Sequence, residues 1–260
     1  MLPSRAGRSV CLVCLALAPA TSPAWAESPA PKPPAALECL ARDYAVTPVQ
    51  VEGRWFARLP DGTRLPWDDG KPRTFDEKLE HPDVKDAFSI RYRPGAIRPV
   101  TEENDDPGRI RLDVIFQATY PTGRGEMTTI RFLGKPHEVH NKVAARFAAV
   151  EARLRKALAA DPRLTPFLDG IGGTFVKRNI AGTNRPSAHS YGVSMDINAN
   201  RTEYWRWQKP ASPIKWANKT PQAIVDAFEA EGFVWGGRWY HYDTMHFEYR
   251  PELLDEACYR

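Results

Sequence analysis

Apolar and polar positions follow two different periods along this chain, and the changeover between them predicts its elements. From Val46 the sequence alternates: "VQVEGRWFARL", then "PDGT", then "RLPWDD". Two alternating runs around Asp61-Gly62 predict a β-hairpin. In "RIRLDVIFQATY", Ile110, Leu112, Val114 and Phe116 share one face, which predicts a strand with one buried side. "MTTIRFLG" repeats that pattern through Ile130 and Phe132. The period then changes. Val139, Val143, Phe147, Val150, Leu154 and Leu158 recur every three or four residues, one face of an amphipathic helix of about five turns. "GGTFVKRNI" predicts a short strand. "TPQAIVDAFEAEG" predicts a second helix, with Thr220 as cap, Pro221 in the first turn and Gly232 beyond the end. "FVWGGRWYHYDTMHFEY" closes the chain with two short aromatic strands. Helices and strands mix without a βαβ rhythm and without an internal repeat, so the fold class is α+β.

The remaining segments are punctuated rather than periodic. Residues 67–108 are rich in Asp, Pro and Gly and read as irregular, with "TEENDDPGR" a solvated loop whose spacing does not fit a helix-loop-helix calcium site. "ESPAPKPPAA" reads as an extended tether. Ahead of it, Arg5 and Arg8 precede an apolar run from Val10 to Ala18, and small residues stand at Ala24 and Ala26. Those are the parts of a secretory signal peptide cleaved after Ala26, and the run is too short for a permanent membrane span. The expected organisation is a leader at 1–26, a tether at 27–38, a β-rich and irregular portion at 39–108, and a core at 109–260 that carries the chemistry.

Charge and cysteine content refine this picture. The leader takes two arginines and no acid with it, so the net charge of +4 falls by two. That is too near neutral to argue for nucleic acid or a membrane surface as partner. No later segment is apolar for long enough to span a membrane, and a monomer is expected. Beyond the leader's Cys11 and Cys14 only Cys39 and Cys258 remain. In an oxidising compartment that pair most simply forms a disulfide joining the two ends.

The candidate chemistry lies late in the chain. In "SAHSYGVSMDIN", Val193, Met195 and Ile197 alternate with Gly192, Ser194 and Asp196. As a strand, this buries the apolar face and turns Asp196 to the other side. His189 lies just upstream, and Gly192 lets its loop turn back toward the carboxylate. A catalytic zinc site usually takes three protein ligands. "YDTMHFEY" supplies His246, with Asp243 three residues before it. A carboxylate beside the attacking water is the general base that such hydrolysis needs. "HEVH", His137 to His140, lacks the gap of the zinc-binding H-E-x-x-H motif and reads as the solvated start of a helix. His241 is close enough to Asp243 to face substrate. Glu248 shares a strand face with His246 and suits the orienting of a ligand histidine, and the Ser187 hydroxyl suits the same task.

"SAHSYGVSMDIN" together with "DTMHFE" resembles the zinc D-alanyl-D-alanine carboxypeptidases and their relatives, which include vancomycin-resistance peptidases (VanY-like), phage and bacterial L-alanyl-D-glutamate endopeptidases, and penicillin-insensitive murein endopeptidases. The matching positions are Ser187, His189, Gly192, Asp196, Asp243 and His246, within about residues 170–250. The resemblance implies one zinc ion held by His189, Asp196 and His246, Asp243 as base, and a peptidoglycan stem peptide as substrate. It also implies an arginine near the scissile carbonyl. Arg178, at the end of the predicted strand before His189, is the first choice; Arg185 suits the substrate's terminal carboxylate. The expected protein is an exported α+β zinc peptidase whose small antiparallel sheet carries the site, most simply a D-alanyl-D-alanine carboxypeptidase. The alternatives are an L-alanyl-D-glutamate or crosslink-cleaving endopeptidase, and a zinc-bearing binding module of the kind found in Hedgehog signalling domains.

Overall fold

A computed structural model describes Met1, residues 31–208 and residues 213–260. Apart from Met1, the expected leader with Cys11 and Cys14 lies outside the described residues. The fold is α+β, as the alternation of periods predicts. The tether ends sooner than expected: helix α1 spans Ala35–Asp43 and buries Ala36, Leu37, Cys39 and Leu40. Pro34 holds the extended conformation before it, and "AALECL" then supplies strong helix formers with a buried stripe.

The β-rich stretch is a three-stranded antiparallel sheet of β1 (Thr47–Val51), β2 (Arg54–Arg58) and β3 (Arg64–Pro66). The hairpin at Asp61-Gly62 joins β2 to β3, with Asp61 accepting from the Thr63 N–H at 2.9 Å. A second hairpin breaks "VQVEGRWFARL" itself. Glu52 and Gly53 both have positive φ, and Val51 pairs with Arg54 across that two-residue turn. The following irregular region contains one short helix, α2 (Phe75–Glu80), closed by a capping box between Thr74 and Glu77.

Two predicted strands are not strands. "RIRLDVIFQATY" contains helix α3 (Asp113–Thr119), which buries Ile115, Phe116 and Thr119 and leaves Val114 exposed. The apparent alternation ran through Val114, whereas the buried set is Ile115, Phe116 and Thr119, a helical spacing. "GGTFVKRNI" is irregular: its ladder pairing is one isolated bridge between Asn179 and Pro186, beside scattered hydrogen bonds to the His189 turn. It carries two glycines, which weaken a strand.

Strands β4 (Met127–Phe132) and β5 (Lys135–His140) form a hairpin over Leu133-Gly134, both at positive φ. His137 to His140 are therefore strand, not the start of a helix. The backbone of Val139 and His140 pairs with β4, and the long helix α4 (Ala144–Ala160) begins only beyond Val143. Its buried stripe is Phe147, Val150 and Leu154, followed by the short helix α5 (Thr165–Leu168).

The third sheet holds the candidate chemistry. Strands β6 (Ser194–Asp196), β7 (Phe233–Trp235) and β8 (His246–Tyr249) pair antiparallel in the order β6-β8-β7, and α6 (Gln222–Glu229) lies between β6 and β7 in the chain. One face buries Met195, Trp235 and Phe247 against α6, where Phe228 stacks on Phe247 at 4.0 Å between ring centroids. Phe147 of α4 meets Phe233 at 4.8 Å. Pro221, not Thr220, occupies the cap position of α6, because the Thr220 hydroxyl donates to the Thr244 carbonyl at 2.9 Å. Gly232 follows the helix at positive φ, as expected. The short helix α7 (Pro251–Leu254) is followed by a 3-10 turn, Glu256–Tyr259, that carries the buried Cys258.

No described helix is long and apolar enough to cross a membrane. Residues Pro33–Arg260 form one compact unit, with Leu37, Leu40 and Ala57 in the same apolar cluster as Phe147 and Phe247. Cys39 on α1 and Cys258 form the expected disulfide across 219 residues. Closing so long a loop stabilises by about 5 kcal/mol in the chain-entropy account, and often less in practice. Replacing both cysteines by serine should lower the melting temperature while leaving cleavage near normal at low temperature. Peptide mapping without reductant checks the bond first.

Gly192 offers a second test. It sits at φ 68°, and a Cβ there would lie 2.8 Å from the His140 backbone nitrogen and 2.5 Å from the Met127 methyl. Its carbonyl accepts the His140 N–H at 2.9 Å, so the backbone at this contact has little room to shift. Gly192→Ala should lose at least about 1 kcal/mol from the left-handed backbone alone. Denaturant titration reads the loss, and an unchanged midpoint would contradict it.

Candidate metal centre and active site

Register sets the first two functional side chains. Asp196 ends β6 and His246 begins β8, and the two are direct cross-strand partners. Because Met195 and Phe247 point into the core, Asp196 and His246 share the opposite face. The third side chain comes from a turn. Residues Ala188–Tyr191 form a single 3-10 turn that starts at Ser187, whose hydroxyl accepts the His189 N–H at 3.4 Å. Gly192 ends the turn in the left-handed conformation and hands the chain to β6.

Three atoms converge. His189 Nε2 lies 3.2 Å from Asp196 Oδ1 and 3.2 Å from His246 Nδ1, and His246 Nδ1 lies 3.0 Å from Asp196 Oδ1. Hydrogen bonds cannot satisfy all three contacts: protons on both facing nitrogens set donor against donor between the rings, and a bare nitrogen sets acceptor against acceptor at the carboxylate. A cation at the centre satisfies all three. Tetrahedral zinc with nitrogen and oxygen ligands at about 2.0–2.2 Å separates its ligand atoms by about 3.3–3.5 Å, within a few tenths of the separations here. The donor set also suits zinc rather than calcium, which takes six or more oxygens. The group fits a zinc ion.

The surrounding charges hold the triad in place. His246 Nε2 lies 3.2 Å from Glu248 Oε2, which leaves Nδ1 to face Asp196. Glu248 is itself buried and takes Arg250 Nη1 at 3.1 Å. Burial opposes charge on His246, but hydrogen bonds to Asp196 and Glu248 outweigh it and raise the imidazole to about 10. Burial likewise opposes charge on Asp196, and the two imidazoles hold its carboxyl well below the usual range. The groups that favour a proton here also favour a metal cation.

Asp243 stands beside this group. Its N–H donates to the Gly236 carbonyl at 2.9 Å, and its own carbonyl accepts the His246 N–H at 3.2 Å. Its Oδ1 is buried without a partner among the described residues. Burial pushes the carboxyl up to about 7, against the pull of His246 and of the Arg178 guanidinium. A carboxyl so placed can exchange a proton near neutral pH.

Asp196, Asp243 and His246 open into a cleft of about 340 Å³. Arg178 and Arg185 both line it. Arg178 stands on an irregular segment rather than at a strand end. Its carbonyl accepts the Ser187 N–H and the Ser190 hydroxyl, tying the segment to the His189 turn. Arg185 is largely buried, donates to the Arg109 carbonyl at 2.9 Å and lies 3.7 Å from Asp113. His241 lines the same cleft, edge-on to Trp205.

The sequence reading missed part of this cleft. Arg109 and Arg111 also line it, and Asp106 is fully buried behind His241. "TEENDDPGR" is thus solvated only in its first half. Asp106 and Pro107 are buried against residues 239–241, where the Trp239 indole donates to the Pro107 carbonyl at 2.7 Å, and Gly108 is buried against Arg250 and Leu253. No periodicity marks such a loop; a Pro-Gly turn between charged residues was the only signal.

No curated protein and no solved structure matches the chain. Residues 181–249 match the family described as D-alanyl-D-alanine carboxypeptidase, a stretch that holds His189, Asp196, His241, Asp243 and His246 but neither Arg178 nor the Asp106 loop. That likeness, over just over a quarter of the chain, supports a metallopeptidase that acts on peptidoglycan.

Proposed function

We propose that this protein is an exported zinc carboxypeptidase that removes the terminal D-alanine from peptidoglycan stem peptides. The observation that carries the reading is the triangle of His189, Asp196 and His246 beside a buried, unpartnered Asp243. The family likeness supports the substrate class. The disulfide and the leader-like N-terminus support export.

His189, Asp196 and His246 would hold the zinc. When bound, zinc supplies Lewis-acid polarisation of a carbonyl and makes water acidic enough to react near neutral pH. Asp243 takes a proton from the attacking water and passes it to the leaving amine. Arg178 faces the negative charge that develops on the carbonyl oxygen. Arg185 suits the substrate's carboxylate. Glu248 fixes His246, and the Ser187 hydroxyl fixes the turn that carries His189.

Digesting purified muropeptides with and without added zinc tests the reading. Release of a single D-alanine marks a carboxypeptidase, larger fragments an endopeptidase, and an inert but zinc-loaded protein a binding module. The protein should carry about one zinc per chain, chelation should abolish cleavage, and zinc should restore it. His189→Ala should lose the metal; metal-free protein that still cleaves ends the proposal. Asp243→Asn should keep zinc and fold but lose activity by about a hundredfold or more. Near-normal turnover with zinc bound would move the base to another residue.

A further inference from the structure

Asp106 takes three donors with two oxygens. Its Oδ1 accepts the backbone N–H of His241 at 2.9 Å. Its Oδ2 meets His241 Nδ1 at 2.6 Å and Arg109 Nη1 at 2.8 Å. Burial opposes its charge, but the hydrogen bond from His241 and the charge of Arg109 outweigh it and keep the carboxyl below its usual range. The loop does not need all of this to stay in place. The Tyr240 N–H already donates to the Asp105 carbonyl at 2.9 Å, and Trp239 holds Pro107. The contact between Oδ2 and the ring does something else: a carboxylate can only accept, so it places a proton on Nδ1. The neutral ring then carries its lone pair on Nε2. That nitrogen has no protein partner among the described residues, is not sealed from solvent, and belongs to a ring that lines the cleft.

The rest of the cleft's charged lining gives this acceptor a use. Arg109, Arg111, Arg178 and Arg185 are donors, suited to substrate carbonyls and carboxylates, while of the acids that also line the cleft Asp196, Asp243 and Glu248 belong to the candidate metal centre and Glu80 is exposed. A peptide also brings N–H groups, which arginines cannot serve. We propose that His241 Nε2 accepts a hydrogen bond from an N–H of the bound peptide, and that Asp106 is the positioning residue that sets the tautomer for this. The inference rests on the peptidase reading and deepens it, because Asp106 lies outside the family-matching stretch and recruits the N-terminal half of the chain to substrate recognition.

The test separates tautomer from fold. Asp106→Asn can still accept the His241 backbone N–H, but its amide donates to Nδ1 and moves the ring proton to Nε2. The cleft then meets the substrate with a donor against a donor. With a purified disaccharide-pentapeptide as substrate, KM should rise about tenfold or more while kcat changes little. Zinc content should stay close to wild type, while the melting temperature falls because the amide that donates to the ring also meets the Arg109 guanidinium, donor against donor. His241→Gln keeps a group able to accept and should retain most of the affinity, whereas His241→Phe should lose it. Nitrogen-15 NMR of the histidines, in mildly alkaline buffer with zinc bound, should show Nδ1 protonated in the wild type and Nε2 protonated in Asp106→Asn. The wild-type Nε2 resonance should move when the muropeptide is added. If the wild type cleaves but Asp106→Asn and His241→Phe keep its KM and Nε2 does not move, this inference falls and the peptidase reading stands. If the wild type neither cleaves the muropeptide nor shifts on adding it, both fall.

Discussion

Asp196 faces His246 across one antiparallel register, and the rest of the site depends on that pairing. A slip by one residue would turn both side chains into the apolar face and bring Met195 and Phe247 out. The core forbids the slip, because Phe247 is stacked on Phe228 and Met195 is fully buried. Apolar packing on one face of the sheet is therefore what holds two candidate metal ligands on the other. β8 is the central strand, bonded on both sides, so its position is fixed by β6 and β7 together.

The polar face needs its own support, since burying charge is costly unless each group is paired. A chain of buried groups supplies it. His246 meets Glu248, Glu248 meets Arg250, and Arg250 Nε donates to Glu252 at 2.7 Å. The Tyr44 hydroxyl then donates to Glu252 at 2.6 Å, just beyond the end of α1. Breaking a buried pair by removing one partner costs about 3–5 kcal/mol, because the other charge is left without compensation. Each member is thus committed to its neighbours, and the chain reaches from the N-terminal helix to a candidate ligand. The disulfide between Cys39 and Cys258 brackets this chain, which gives the covalent link a place in the site's architecture without a part in its chemistry.

The legibility of these features in the sequence follows from how local each one is. β4, β6, β7 and β8 were readable because their alternation is short-range and their apolar faces are buried. Among His189, Asp196 and His246, two sit on or beside such strands, so the spacing of residues carried the geometry. α3 was misread because Ile110, Leu112, Val114 and Phe116 alternate by accident, while Ile115 and Thr119 carry the helical burial. His137 and His140 were misread because Val139 continued the helical spacing of α4 backward across a turn the period does not reveal. Thr220 looked like a cap until tertiary structure offered its hydroxyl the Thr244 carbonyl. Asp106 was not readable at all. Arg109 is a near neighbour, but its other partners are a ring and a backbone N–H 135 residues away, and a contact of that range leaves no local pattern.

That last failure bears on what the family-matching stretch can do alone. Residues 181–249 hold the triangle and Asp243, yet Arg109, Arg111 and Asp106 come from a loop some seventy residues earlier, and Arg178 from just before it. The reactive face belongs to the small sheet, while much of the charged lining belongs to the rest of the chain. Metal chemistry demands a few atoms held within tenths of an ångström, which one register and one turn can provide. Recognition of a peptide demands donors and acceptors spread over a larger surface, and a three-stranded sheet is too small to present them. The N-terminal segment folds Asp106 and Pro107 onto residues 239–241, which brings Arg109 and Arg111 to the cleft without disturbing the core that fixes the candidate ligands.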